Sequence, residues 1–186
     1  MTPSTDLATA CAAFTSQFEG KIPYLYLDPD GNVTGGCGHL FRTPQEVADI
    51  SGCSLQDATE AFDAVKVAEA GHEAHWYETL TDMRLTDDQI TALLASDQQR
   101  SIGLCSRTIQ TWDSLPQPAQ IALADIAFNT GSLTGWPSLC MAVAAGNWAE
   151  AAIQCHRKEI PAPGGVQSER NIATAQLFSN IAAVET

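Results

Sequence analysis

Two carboxylic acids and a hydroxyl stand close together near the start of this chain: Glu19, Asp28 and Thr34, within the stretch "FEGKIPYLYLDPDGNVTGGCGHL" from Phe18 to Leu40. Glu19 is expected in the last turn of a helix, where the negative end of the macrodipole disfavours a carboxylate and partial burial acts the same way. A carboxylic acid so placed suits a general acid. Asp28 opens the turn "DPDG", a more polar and solvated setting. Two carboxyls in unlike settings are the minimum apparatus of glycoside hydrolysis: one protonates the leaving oxygen, the other serves a water or the sugar. Thr34, on the second strand of the implied hairpin, adds a hydroxyl able to orient that water.

The elements that must position these groups follow from periodicity. Leu7, Cys11, Phe14 and Phe18 repeat along one face of a helix over residues 5–19, with Ser4 or Thr5 as N-cap and Gly20 as its stop. Residues 23–28 and 31–37 read as short strands about the turn. Beyond them the chain reads as helical. Ser54 opens one helix, and Thr86 with Gln89 forms a capping box for the next. "AQIALADIAFNTG" is expected as a central buried helix ending at Gly131. Two shorter helices split at Gly146-Asn147, the loop "IPAPGG" follows, and a last helix lies near 168–183. The expected class is α+β, mainly helical. The whole chain, 1–186, is expected as one catalytic domain: an N-terminal helix and hairpin (1–42), an atypical helical insert (43–85) and a helical lobe (86–186).

Taken singly, the pieces have bland readings. "DPDG" is a type I turn in most settings, and it lacks the spacing of an EF-hand loop. "GGCGHL" fails as a dinucleotide loop because the third glycine position is Phe41. His39 alone reads as a structural histidine. Cys37, on a strand of period two, points to the core rather than serving as a nucleophile. His72 and His75, three apart on an expected helix with Glu73 between, fall one residue short of the H-E-x-x-H zinc pattern, so no metal site and no cofactor is expected.

The combination is more specific than its parts. Glu19-Gly20, Tyr26, Asp28, Gly31, Thr34, Gly36, Gly38 and His39 resemble the catalytic segment of the phage-type lysozymes, glycoside hydrolase family 24, in which a helix ending in E-G leads through a tyrosine to D-x-x-G-x-x-T-x-G-x-G-H. "ALADIAFNTG" resembles that family's central helix with its F-N-x-G end, adding Asn129. "PSLCMAVAAGNWAEAA" resembles the next run. "ERNIATAQLF" resembles the last helix, although Asn171 and Thr174 stand where the family has a second Arg and a Glu. Over residues 43–84 the match is poor.

The resemblance implies a two-lobe lysozyme-like fold and hydrolysis of the β-1,4 bond between N-acetylmuramic acid and N-acetylglucosamine in peptidoglycan. By it, Glu19 is the general acid, Asp28 stabilises the developing cation and helps hold the water, and Thr34 orients the water. Tyr26, His39 and Asn129 support the site, and Gly36 and Gly38 form a floor on which a Cβ would collide with sugar. The family pattern implies inversion, which a carboxyl separation of about 6.5–9.5 Å would match. The competing class is a lysozyme-fold glycan-binding or scaffold protein without turnover.

Charge and composition set the context. With nine Lys and Arg against 22 Asp and Glu, the net charge is −13. That argues against nucleic acid or an anionic membrane surface as partner, and against teichoic-acid-rich walls. The first residues carry neither a basic n-region nor an apolar core, so no signal peptide is expected. The expected setting is synthesis in the cytoplasm and action in the periplasm or cell wall, as a phage endolysin or a delivered antibacterial effector. The protein is expected to be a monomer, with an immunity or delivery protein as a candidate partner for the 43–84 segment. The six cysteines include no C-x-x-C. Their even count admits disulfides, but six reduced and mostly buried thiols are favoured.

Overall fold

The computed structural model describes residues 5–157 and 166–184. In chain order the elements are α1 (Thr5–Thr15), β1 (Ile22–Leu27), β2 (Val33–Gly36), β3 (His39–Leu40), α2 (Pro44–Ser51), α3 (Leu55–Lys66), a 3-10 turn (Ala74–Thr79), α4 (Asp87–Thr108), a short 3-10 turn (Trp112–Ser114), α5 (Gln117–Thr130), α6 (Pro137–Ala144), α7 (Trp148–Gln154) and α8 (Val166–Val184). The α+β, mainly helical class is therefore as expected. The chain divides into two compact units: residues 1–18 with 95–186, and residues 19–94. Thus α1 groups with the later helices rather than with the hairpin. Ser4 and the loop at 160–165 lie outside the described residues.

The unit of residues 19–94 is built on a three-stranded antiparallel sheet in the order β1-β2-β3. Tyr26 pairs with Thr34 and Leu27 with Val33, and the register is interrupted between Ile22 and Tyr26. Thr34 and Gly35 pair in turn with Leu40 and His39. Leu25, Leu27 and Val33 are buried in the strands, Val47 in α2, Ala58 and Val65 in α3, and Ile90 and Leu93 in α4. Local capping chemistry places the helices. The Ser54 hydroxyl accepts from the Asp57 N–H at 3.1 Å, opening α3. Thr86 and Gln89 exchange bonds of 2.8 and 3.2 Å, opening α4 as a reciprocal capping box. The segment 43–84 packs on the sheet of its own unit. α3 touches β1 and β2, the 3-10 turn touches β1, and the Leu85 N–H donates to the Pro23 carbonyl at 2.7 Å.

The other unit is a helical cluster around α5. Residues Ala122 to Ala127 of that helix are all buried, as befits a helix covered on every side. Leu7, Cys11, Ile102, Leu139 and Phe178 complete the core around it. Within this apolar surround Asp125 is fully buried and accepts from four donors. These are the Thr15 hydroxyl at 2.7 Å, Arg170 Nη2 at 2.7 Å, Arg170 Nε at 3.0 Å, and Arg157 Nη2. The two departures from the family's last helix are both partners of Arg157. Asn171 accepts from its N–H and donates to its carbonyl, each at 2.9 Å, and the Thr174 hydroxyl accepts from its guanidinium at 3.2 Å. A buried charge is stable only when paired and hydrogen-bonded. Burial pulls the Arg157 pKa down, and Asp125 holds it up against burial and Arg170.

Two sequence expectations fail locally. α1 stops at Thr15, not at Gly20: Gln17 and Phe18 bond the carbonyls three residues back, at 3.2 and 3.0 Å, so the chain leaves the helix through tightened turns. Glu19 therefore follows the helix instead of closing its last turn, beyond the reach of a dipole effect that falls off within one turn. His72 and His75 are not on a regular helix either, because α3 ends at Lys66 and Gly71 takes a left-handed φ of 91°. His72 stacks on Trp76 with ring centroids 4.0 Å apart, and His75 lies against Glu73. None of the six cysteines is in a disulfide.

Candidate active site

The hairpin brings three of the expected residues into one register. Because Tyr26 and Thr34 are direct cross-strand partners, their side chains share one face of the sheet at about 5 Å between Cβ atoms. Asp28 follows two residues after Tyr26, just past the end of β1.

The turn then closes on Asp28 itself. One carboxylate oxygen accepts from the Asp30 N–H at 2.9 Å and the Asn32 N–H at 2.8 Å, while the other accepts from the Asn32 amide Nδ2 at 3.1 Å. The Gly31 N–H donates to the Asp28 carbonyl at 2.9 Å, and the Asp28 N–H to the Asn32 carbonyl at 2.9 Å. Asp and Asn favour such turns because their side chains bond nearby backbone. Gly31 is needed for its φ of 76°, which a side chain rarely tolerates.

Thr34 is buried, and its hydroxyl donates to the Asn32 carbonyl at 3.1 Å. With its proton committed there, the hydroxyl oxygen offers lone pairs to any further partner.

Glu19 is partly buried at the entry to the same unit. Its link to the hairpin is electrostatic: burial, then Asp28, then Glu19, with Cys37 and Tyr24 after them, push the Tyr26 phenol above the ordinary tyrosine range. Both carboxyls thus bear on a single phenol, which stays protonated and able to donate.

Gly36 and Gly38 take backbone conformations that L side chains rarely adopt. Their φ values are 62° and 83°; a Cβ on Gly38 would meet no protein atom within 4 Å, and one on Gly36 only ordinary contacts with Ile90 and Leu93. Backbone conformation by itself favours glycine at both positions, with no crowding from the protein around them. The close approach is at Gly35, where a Cβ would lie 3.1 Å from the Phe41 ring and 3.3 Å from the Tyr24 carbonyl. His39 is buried, edge-on to Phe41, with Nε2 3.4 Å from Glu46 in the first turn of α2. It ties the hairpin to α2. Cys37 is buried, as expected. Asn129 is exposed in the last turn of α5, in the helical unit rather than in the unit that carries the other site residues.

Sequence reasoning missed Asn32 and Asp125. An Asn directly after the glycine of an Asp-led turn was the available signal for the first, and a lone carboxylate in an otherwise apolar helix for the second. Among the described residues no group of three or more His, Cys, Asp or Glu can hold a metal ion, and no helix is long and apolar enough to cross a membrane.

The model of the phage lysozyme family matches residues 16–167. A search of curated proteins finds no match. Among solved structures, the chain is similar to the muramidase domain of SpmX from Asticaccaulis excentricus, with a TM-score of 0.59 and 20% identity over 91% of this chain and 94% of that one. It is also similar to a P22 lysozyme variant, with a TM-score of 0.58 and 18% identity over 91% of this chain and 95% of that one. At such identities the likeness concerns the fold, which is lysozyme-like.

Proposed function

The chain belongs to the phage lysozyme family and is a peptidoglycan hydrolase, and from that premise we propose that it cleaves the β-1,4 bond between N-acetylmuramic acid and N-acetylglucosamine with inversion. In this reading Glu19 protonates the leaving glycosidic oxygen. Asp28 faces the positive charge that develops on the sugar, holds the attacking water and takes its proton as the new bond to the anomeric carbon forms. Thr34 orients that water: its hydroxyl donates to the Asn32 carbonyl, so its oxygen accepts a hydrogen bond from the water, whose lone pair is left to face the anomeric carbon. Tyr26, kept protonated by burial and by the charges of Asp28 and Glu19, remains a hydrogen-bond donor in the site. The observation that supports this reading best is the hairpin register, which sets Thr34 opposite Tyr26 and leaves Asp28 held in the adjoining turn.

Purified Gram-negative sacculi test the reaction. The wild type releases reducing ends and muropeptides, and Glu19→Gln releases at least about 100-fold fewer, the order expected for loss of a general acid. A wild type that releases none would sink the enzyme reading in favour of a glycan-binding scaffold. Proton NMR of the fresh product reports the anomer; a product that keeps the substrate's configuration excludes inversion.

The proposed setting is the bacterial periplasm or cell wall, reached on release as an endolysin or on delivery as an effector, with the protein acting as a monomer. Its charge of −13 suits a thin sacculus better than an anionic wall polymer. An immunity or delivery protein would dock on the 43–84 segment. Expression in a Gram-negative host, with and without an added export signal, tests the setting: lysis should follow export only.

A further inference from the structure

One residue of the turn that touches no reacting atom in the reading above is bonded to both Asp28 and Thr34. Asn32 makes four hydrogen bonds in the turn. Its N–H and its amide Nδ2 donate to the two oxygens of the Asp28 carboxylate. Its carbonyl accepts both the Asp28 N–H and the Thr34 hydroxyl. Together with the Asp30 N–H, Asn32 thus fixes the rotation of the Asp28 carboxylate, and its carbonyl sets the direction in which the Thr34 hydroxyl spends its proton. Rotation about the Asp28 side chain would break the bonds to Asp30 and Asn32 together.

The turn is also held from outside. On its outer side lies a cleft of about 300 Å³ lined by Asn32 and Val33 of the hairpin and by Phe62 and Lys66 of α3, among others. Apolar packing does not fill that space. Lys66 instead donates from Nζ to the Gly31 carbonyl at 3.0 Å, joining positions 35 residues apart. A lysine in the last turn of a helix is ordinarily a solvated partner of the helix dipole. Here it reaches the carbonyl next to Asn32.

We infer that Asn32 is a positioning residue for both Asp28 and Thr34, and that Lys66 braces the same turn from α3. The inference rests on the roles proposed above for Asp28 and Thr34. It also gives the 43–84 segment a task in this unit: supplying the outer support of the turn.

Asn32→Asp is the sharpest perturbation, because it keeps the shape and the backbone bonds while turning the Nδ2 donor into a second carboxylate facing Asp28. Two adjacent carboxylates cannot both ionise freely. The other titratable groups around the pair are Glu19, Tyr26 and Asp30, with Lys66 from α3, and all are unchanged in the variant. On purified sacculi we expect kcat to fall by about ten-fold or more at neutral pH, with KM within about two-fold, and the acid limb of the pH profile to move upward. Asn32→Ala, which removes one side-chain bond, should lower kcat by about five-fold without moving the pH profile. Lys66→Met should lower kcat by a few-fold, and Lys66→Arg should restore it. Amide hydrogen exchange at Asp30, Gly31 and Asn32 should quicken in Lys66→Met while Tm stays within a few degrees of the wild type.

An active wild type with unchanged kcat and pH profile in Asn32→Asp overturns the inference and leaves the reaction standing. A kcat loss that merely follows a fall in Tm, or that Lys66→Arg does not recover, also overturns it. An inactive wild type overturns the reaction itself and the inference with it.

Discussion

Replacing Asp125 by Asn removes one charge and almost no volume from the centre of the helical unit, and should be among the most damaging substitutions in the protein. Asp125 is fully buried. In the variant, the oxygen that accepts from Thr15 and from Arg170 Nη2 can be retained. The other oxygen becomes an amide NH₂ facing Arg157 Nη2 and Arg170 Nε, which are themselves donors. Two bonds are lost, donors confront donors, and two guanidinium groups lose their shared counter-charge in a site without solvent. Breaking a buried ion pair from one side costs about 3–5 kcal/mol, a large part of a total stability that is typically about 5–15 kcal/mol. For a chain of this size that lowers Tm by about 6–20 °C. Urea titration followed by circular dichroism should show a lower midpoint with an unchanged slope. A double-mutant cycle with Arg157→Met should give a coupling of about 1–3 kcal/mol. A loss under about 1 kcal/mol, or additive effects of Asp125→Asn and Arg157→Met, would refute the reasoning.

Further outcomes follow from the same structure. Gly38→Ala should destabilise by about 1–2 kcal/mol through backbone strain alone, since its added methyl meets no protein atom, and Gly38→Asn should recover part of the loss; equal stability of Gly38→Ala and wild type in thermal melts would contradict this. Burial, with Asp125 adding to it, pushes the Cys11 thiol from 9.0 up to about 12, and burial pushes Cys155 up to about 11. The folded protein therefore keeps protons that the unfolded chain releases above pH 9. Stability is full below about pH 9 and falls as pH rises towards the folded values, by about 1.4 kcal/mol per pH unit for each thiol. Unfolding titrations between pH 8 and 11 should show a shallower loss in Cys11→Ala than in the wild type, and identical slopes would count against the assignment. Tyr26 should ionise above the ordinary tyrosine range, and Asp28→Asn should bring its ionisation down. Ultraviolet titration of wild type, Tyr26→Phe and Asp28→Asn reads this directly.

What the sequence determined by itself is whatever a few neighbouring residues decide. The turn from Asp28 to Asn32, the Ser54 cap, the Thr86–Gln89 box and the end of α5 at Gly131 all arise from bonds or backbone preferences within about four residues. The spacing from Glu19 to His39 could be read for the same reason, since a short hairpin leaves little freedom in what lies opposite what. The tertiary structure alone decided the pairings that span the chain. Thr15 meets Asp125 across 110 positions, Gln98 donates to Thr15 across 83, and Lys66 reaches Gly31 across 35. No local periodicity encodes such partners, because they depend on which helix faces are brought together once the core closes. The same cause lies behind the misplaced end of α1. Thr15, Gly20 and the apolar repeat all permit a helix to Glu19, yet the chain tightens after Thr15, whose side chain is bound into the buried network around Asp125.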